Sequence, residues 1–165
     1  MQREKMLHVI NATPSAQTPT YEAIGEDLED FSVEMNAQVD KKKNILGKNK
    51  NTLSGYEPQA DVDTYYAIPG SKTFEFLQDI LDNRKTDDDV KTDVVEVHLW
   101  EESGNSGVEF KAYKDEVIVE IVSYGGDTVA YGIPYNLHYS NVRTVGTYNA
   151  TTKAFTPTVA VASGD

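Results

Sequence analysis

Between Phe31 and Asp40 apolar and polar residues alternate without a break. Phe31, Val33, Met35, Ala37 and Val39 fall on one parity, and Ser32, Glu34, Asn36, Gln38 and Asp40 on the other. A period of two predicts a strand with one dry and one wet face. The alternation returns from Tyr56, with Tyr56, Pro58, Ala60 and Val62 set against Glu57, Gln59, Asp61 and Asp63. A second amphipathic strand is therefore expected to run back beside the first, and Pro58 marks an edge or a bulge because proline cannot donate to a ladder. Between the two, KKKNILGKNK at 41–50 and NTLSG at 51–55 join lysines to turn-forming residues. They predict a long exposed hairpin loop.

The period changes after Pro69-Gly70. Phe74, Phe76, Leu77, Ile80 and Leu81 form one apolar stripe, with Glu75, Gln78, Asp79 and Asp82 outside it. One helix is expected, capped by Ser71 or Thr73, with Arg84 and Lys85 suiting its negative pole. After the acidic stretch Thr86–Asp93, strand-like runs occupy 94–101, 108–114, 117–124 and the segment from 128, with a last pair at 137–146 and 153–159. Gly125-Gly126-Asp127 between two β-branched runs predicts a tight hairpin turn. The expected fold is mainly β, a β-sandwich or barrel of about seven to eight strands with one flanking α-helix and a long hairpin loop. Residues 1–30, which pass from a Thr-, Ser- and Pro-rich stretch into an acidic run, are expected to form an extended N-terminal arm. Residues 31–148 then form the β domain, and 149–165 a C-terminal tail.

Length and composition narrow the function. A chain of 165 residues fits one domain. Fifteen Lys and Arg against 27 Asp and Glu give a net charge of −12, which disfavours a clamp on duplex DNA. Cysteine is absent, so disulfides, thiolate metal sites and cysteine nucleophiles are excluded. No apolar run approaches the roughly 20 residues of a membrane helix, and no membrane binding is expected. Met1–Ile10 is too short and too charged for a secretory segment, so synthesis in the cytoplasm is the expectation.

Candidate chemistry is sparse. His8, His98 and His138 are far apart, with no partner at metal-ligand spacing. Asp87-Asp88-Asp89 lacks the spaced acids and central Gly of a calcium loop. Asp61 and Asp63 share their parity with Glu57 and Gln59, which reads as a wet sheet face rather than an acid–base pair. There is no phosphate-binding loop, GxSxG elbow or dinucleotide fingerprint. No enzyme, catalytic residue, metal or cofactor is expected.

The run FSVEMNAQVDKKKNILGKNKNTLSGYEPQADVDTYYA (31–67), a helix, and VEVHLWEESGNSGVEFKAYKDEVIVEIVSYGGD (95–127) together resemble the major tail tube proteins of long-tailed, siphovirus-like bacteriophages. The likeness spans about residues 30–148, and its most specific pieces are Asn44–Gly47 and Gly55–Tyr66. It implies a structural virion protein of the tail-tube β-sandwich type. Hexameric rings of such a protein stack into a hollow tube that carries the genome into the host. The implied partners are further copies of the chain and the tape-measure, tail terminator and tail-tip proteins. The implied location is the virion tail.

On this reading Ser32, Glu34, Asn36, Gln38, Asp40, Glu57, Gln59, Asp61 and Asp63 line the channel. Five carboxylates and no Lys or Arg on that face would repel transiting double-stranded DNA rather than bind it. The alternative is a face that meets only bulk water. Lys41, Lys42, Lys43, Ile45, Leu46, Lys48 and Lys50 form the candidate inter-ring stacking loop, set against a solvated loop. The hairpin's apolar face is expected to pack on its own core. Two rival functions stand beside this one. The first is the tube of a contractile tail, tailocin or related secretion device. The second is a soluble β-barrel ligand-binding module lined by Tyr113, Tyr124, Tyr131, Tyr135 and Tyr139.

Overall fold

Three long β-branched runs supply the frame. The computed structural model describes residues 1–159, and within them the chain forms strands β1 (Met6–Asn11), β2 (Tyr21–Ala23), β3 (Val33–Glu34), β4 (Ala37–Lys43), β5 (Asn49–Tyr56) and β6 (Gln59–Val62). Helix α1 (Lys72–Asn83) follows, then β7 (Lys91–Glu102), β8 (Glu109–Ile121), β9 (Gly125–Gly126), β10 (Tyr131–Gly132), β11 (Tyr135–Asn149) and β12 (Ala154–Pro157). Eight strands make one sheet in the order β2-β1-β7-β8-β11-β6-β3, with β12 also paired to β11. Two small ribbons, β4-β5 and β9-β10, stand apart from it. The mainly β fold with one flanking helix is as the sequence leads one to expect.

The sheet has a core on each face. Val94 belongs to a cluster with Ile10, Val117, Val119, Leu137 and the helix residues Leu77 and Ile80. Its neighbour Val95 belongs to a second cluster with Val9, Val97, Phe110, Ala112 and Tyr148. Adjacent strand residues point to opposite faces, so the two clusters lie on opposite sides of the same strands. The buried face of α1, with Phe76, Leu77, Ile80 and Leu81, seals the first.

Helix α1 starts where local chemistry directs. Ser71 Oγ accepts from Phe74 N at 3.4 Å, and the Glu22 carboxylate on β2 accepts from Lys72 N and Thr73 N, each at 2.9 Å. The helix therefore uses a side chain from a distant strand to satisfy its orphan N–H groups. Arg84 ends it in the left-handed region, with φ of 48°.

Several local expectations change. Residues 1–30 are not a free arm: β1 pairs with β7 over Met6↔His98 to Ile10↔Val94, and His8, Val9, Ile10 and Asn11 are buried. The predicted strand 31–40 breaks at Asn36, whose φ of 44° separates β3 from β4. The predicted loop at 41–55 is mostly ladder, because β4 and β5 pair from Ala37↔Tyr56 to Lys43↔Asn49. The runs 108–114 and 117–124 are one strand, β8. Gly125 and Gly126 pair with Gly132 and Tyr131, so the tight turn lies after them, where Asp127 Oδ1 accepts from Val129 N and Ala130 N. Of the predicted tail, Ala154–Pro157 is β12, and residues 160–165 lie outside the described residues.

Candidate assembly interface

A ribbon that leaves the sheet is the most exposed element. β3 pairs with β6 through Val33↔Ala60 and Glu34↔Gln59, and the chain then continues into β4 and β5. Every residue of β4 is exposed, and so is every residue of β5 but Gly55. Seven residues in β4 give an arm of roughly 23 Å. At its end Asn44 Oδ1 accepts from Leu46 N and Lys48 N at 3.0 and 2.9 Å, which fixes the turn. Ile45 and Leu46 stand at the tip with 102% and 76% exposure.

The two faces of the ribbon differ. Cross-strand pairs share a face, so the pairs Ala37↔Tyr56 and Val39↔Leu53 make one apolar strip that runs into Lys41 and Lys43. Val39 and Leu53 are 51% and 50% exposed. The expectation that the hairpin's dry face packs on its own core therefore holds only at its root, where Phe31, Ala60 and Val62 are buried. Beyond Asn36 the arm has moved away from the sheet, and its apolar strip has no cover in the single chain.

The polar positions divide in the same way. Ser32, Glu34, Glu57, Asp61 and Asp63 are exposed at the root, with Gln59 half-buried and donating to Asp61 Oδ1 at 3.0 Å. Asn36 donates to the Glu57 carbonyl at 3.1 Å across the pinch. Gln38 and Asp40 lie further out, and Asp40 shares its ribbon face with Lys42 and Lys50. The structure thus brings Glu34, Gln59 and Asp61 together and sets Gln38 and Asp40 apart on the arm. All five lysines of 41–50 are exposed on the outer arm.

A cleft opens at the hairpin root. It has a volume of about 610 Å³ and is lined by apolar Phe31, Val33, Met35 and Pro58 above charged Glu96 and Arg143. His8 forms part of its floor; it is 5% exposed and makes an edge-on contact with the Phe31 ring at 5.0 Å. Its Nε2 lies 3.7 Å from Glu96 Oε2, an electrostatic contact rather than a hydrogen bond, and both of its ring nitrogens lack a hydrogen-bond partner. Glu96 also meets His98 Nε2 at 2.8 Å and accepts from Arg143 Nη2 at 3.3 Å. The His8 imidazole outweighs burial and, with His98 and Arg143, holds the Glu96 carboxyl down at about 2. Asp115 accepts from Arg143 Nε at 3.0 and 3.2 Å, yet burial dominates and pushes its carboxyl up.

Little in the local sequence marks this cluster. Its members come from β1, β7, β8 and β11, and only strand register brings His8 beside Glu96 and Arg143 beside Asp115. The one local signal is parity, since His8 shares one side of β1 with Met6 and Ile10 and alternates with Leu7 and Val9. The tyrosines of the rival pocket do not line one cavity: Tyr135 is 1% exposed in the core, Tyr131 and Tyr139 pack against the same cluster as part of that core, and Tyr124 is 55% exposed at the surface. Asp88 of the acidic triplet pairs with Lys91 at 2.7 Å. Among the described residues no group of three His, Cys, Asp or Glu is placed to hold a metal ion, and no helix is long and apolar enough to cross a membrane.

No protein-family model and no curated protein matches the chain. Among solved structures, the fold is similar to the sheath/tube terminator of PVC, an extracellular contractile injection system, in its extended state. The TM-score is 0.52 at 10% identity, and the match covers 89% of this chain and 95% of that one. At that identity the likeness is one of fold.

Proposed function

We propose that the chain is a structural subunit of a phage-tail-like tube, in which rings of six copies stack into a hollow conduit. The observation that carries this reading is the β4-β5 ribbon. It is an ordered arm with an uncovered apolar strip, five lysines and an apolar tip, on a chain that is otherwise strongly acidic. A monomer gains nothing from such an arm, and an assembly gains a contact with the next copy. In that assembly the acidic root residues Glu34, Glu57, Asp61 and Asp63 face the channel with Ser32, Asn36, Gln38, Asp40 and Gln59, and duplex DNA passes without adhering. The fold shared with a component of a contractile injection system is consistent with a tail-associated role.

Negative-stain images of the purified protein at high concentration test the reading. Rings or tubes are expected. A monomer at every concentration would overturn it.

The same match favours a second reading, a terminator that closes the end of a tube, because nearly the whole of each chain is aligned. On this second reading single rings that do not stack are expected, and on the first open-ended stacks. Images of the same sample separate the two.

A further inference from the structure

The hairpin tip and the cleft at its root are separated by the length of the arm, roughly 23 Å, so the tip cannot enter its own cleft. We infer that the cleft floored by His8 receives the Ile45–Leu46 tip of a second copy of this chain. This inference rests on the assembly proposed above and names the acceptor within it.

Two observations converge on that occupant. The cleft wall is apolar, with Phe31, Val33, Met35 and Pro58, and Ile45 and Leu46 are the most exposed apolar residues of the arm. Seating them there removes both surfaces from water, the main driving force of association. Beside the cleft, and sharing Arg3, Met6, Phe31 and Ser32 with it, runs a second groove edged by Glu26, Glu29 and Asp30. With Asp27 these make four exposed carboxylates, and the chain has no Lys or Arg from Met6 to Asp40. Five exposed lysines flank the tip, so the charges match across the contact and set its register. The cations already at the cleft do not oppose this: Arg143 is held by Asp115 and Glu96, and Arg3 by the carbonyls of Met6 and Phe31.

Donor and acceptor lie on different patches of one chain, so the contact is heterologous and propagates from copy to copy.

The absence of native cysteine permits a direct test. Met35, in the cleft wall, and Leu46 are both exposed, so the double variant Met35→Cys/Leu46→Cys keeps the fold. Oxidation of assembled protein is expected to give a ladder of crosslinked dimers and higher species on a non-reducing gel. The control Val129→Cys/Leu46→Cys, also at exposed positions, gives none. Assemblies that form without the ladder, or with an equal ladder in the control, overturn the cleft as acceptor and leave the tube reading standing. Failure of the unmodified chain to assemble at all overturns both.

Discussion

Glu96 and Glu22 show how single carboxylates tie this chain together. Glu96 is held at about 2 by His8, His98 and Arg143, well below the ordinary value of 4.5. A depressed acid stabilises the fold above its unfolded value, and that contribution is lost as pH falls from about 4.5 toward 2. Its size is on the order of 3 kcal/mol. Asp115 acts in the opposite sense: burial raises it, so its neutral form favours the fold and its contribution declines as pH rises. Urea unfolding of the native chain at about pH 7 and about pH 3 is expected to show a marked loss in acid, and Glu96→Gln should shrink that loss. An equal loss in both chains would place the acid sensitivity elsewhere. For Glu22, burial raises the carboxyl but is outweighed by bonds from Thr73, Lys72 and Ser71, which hold it low. Glu22→Ala removes this cap, and a loss of about 1–2 kcal/mol in chemical denaturation is expected.

At the scale of elements, α1 and the ribbon make contrasting predictions. Leu77 is fully buried between α1 and the sheet, so Leu77→Ala should cost about 2–5 kcal/mol of stability. The ribbon touches no core, so replacing Lys41, Lys42 and Lys43 together by Glu should change stability by no more than about 0.5 kcal/mol while impairing tube growth in electron micrographs. Unchanged tubes would remove the lysines from the contact. Helix α1 was legible in the sequence because its cap and apolar stripe are local and lie within one stretch of chain. The ribbon was legible only as an exposed hairpin. KKKNILGKNK carries neither β-branched residues beyond Ile45 nor alternation, and its order comes from pairing with 49–56. Asn36 is a case of the same kind: its parity fits a strand, and its left-handed backbone ends one.

For the whole molecule, a net charge of −12 and a pI near 4.6 predict repulsion of duplex DNA. Assembled or not, the protein should leave duplex DNA unshifted in a gel at low salt, the condition that most favours phosphate binding; a retarded band would contradict an acid-lined conduit. The sequence by itself determined the mainly β character, the single helix, the exposed hairpin and its charge polarity, because each depends on periodicity or composition over a few neighbouring residues. Tertiary structure decided what depends on distant segments meeting. It made β1 an internal strand rather than part of an arm, since β7 on one side and β2 on the other satisfy its backbone and the two core clusters cover Ile10 and Val9. It split the apolar core between two faces of one sheet. It also set His8, Glu96, Asp115 and Arg143 around one cleft, a grouping fixed by register between strands far apart in sequence, which no local pattern encodes.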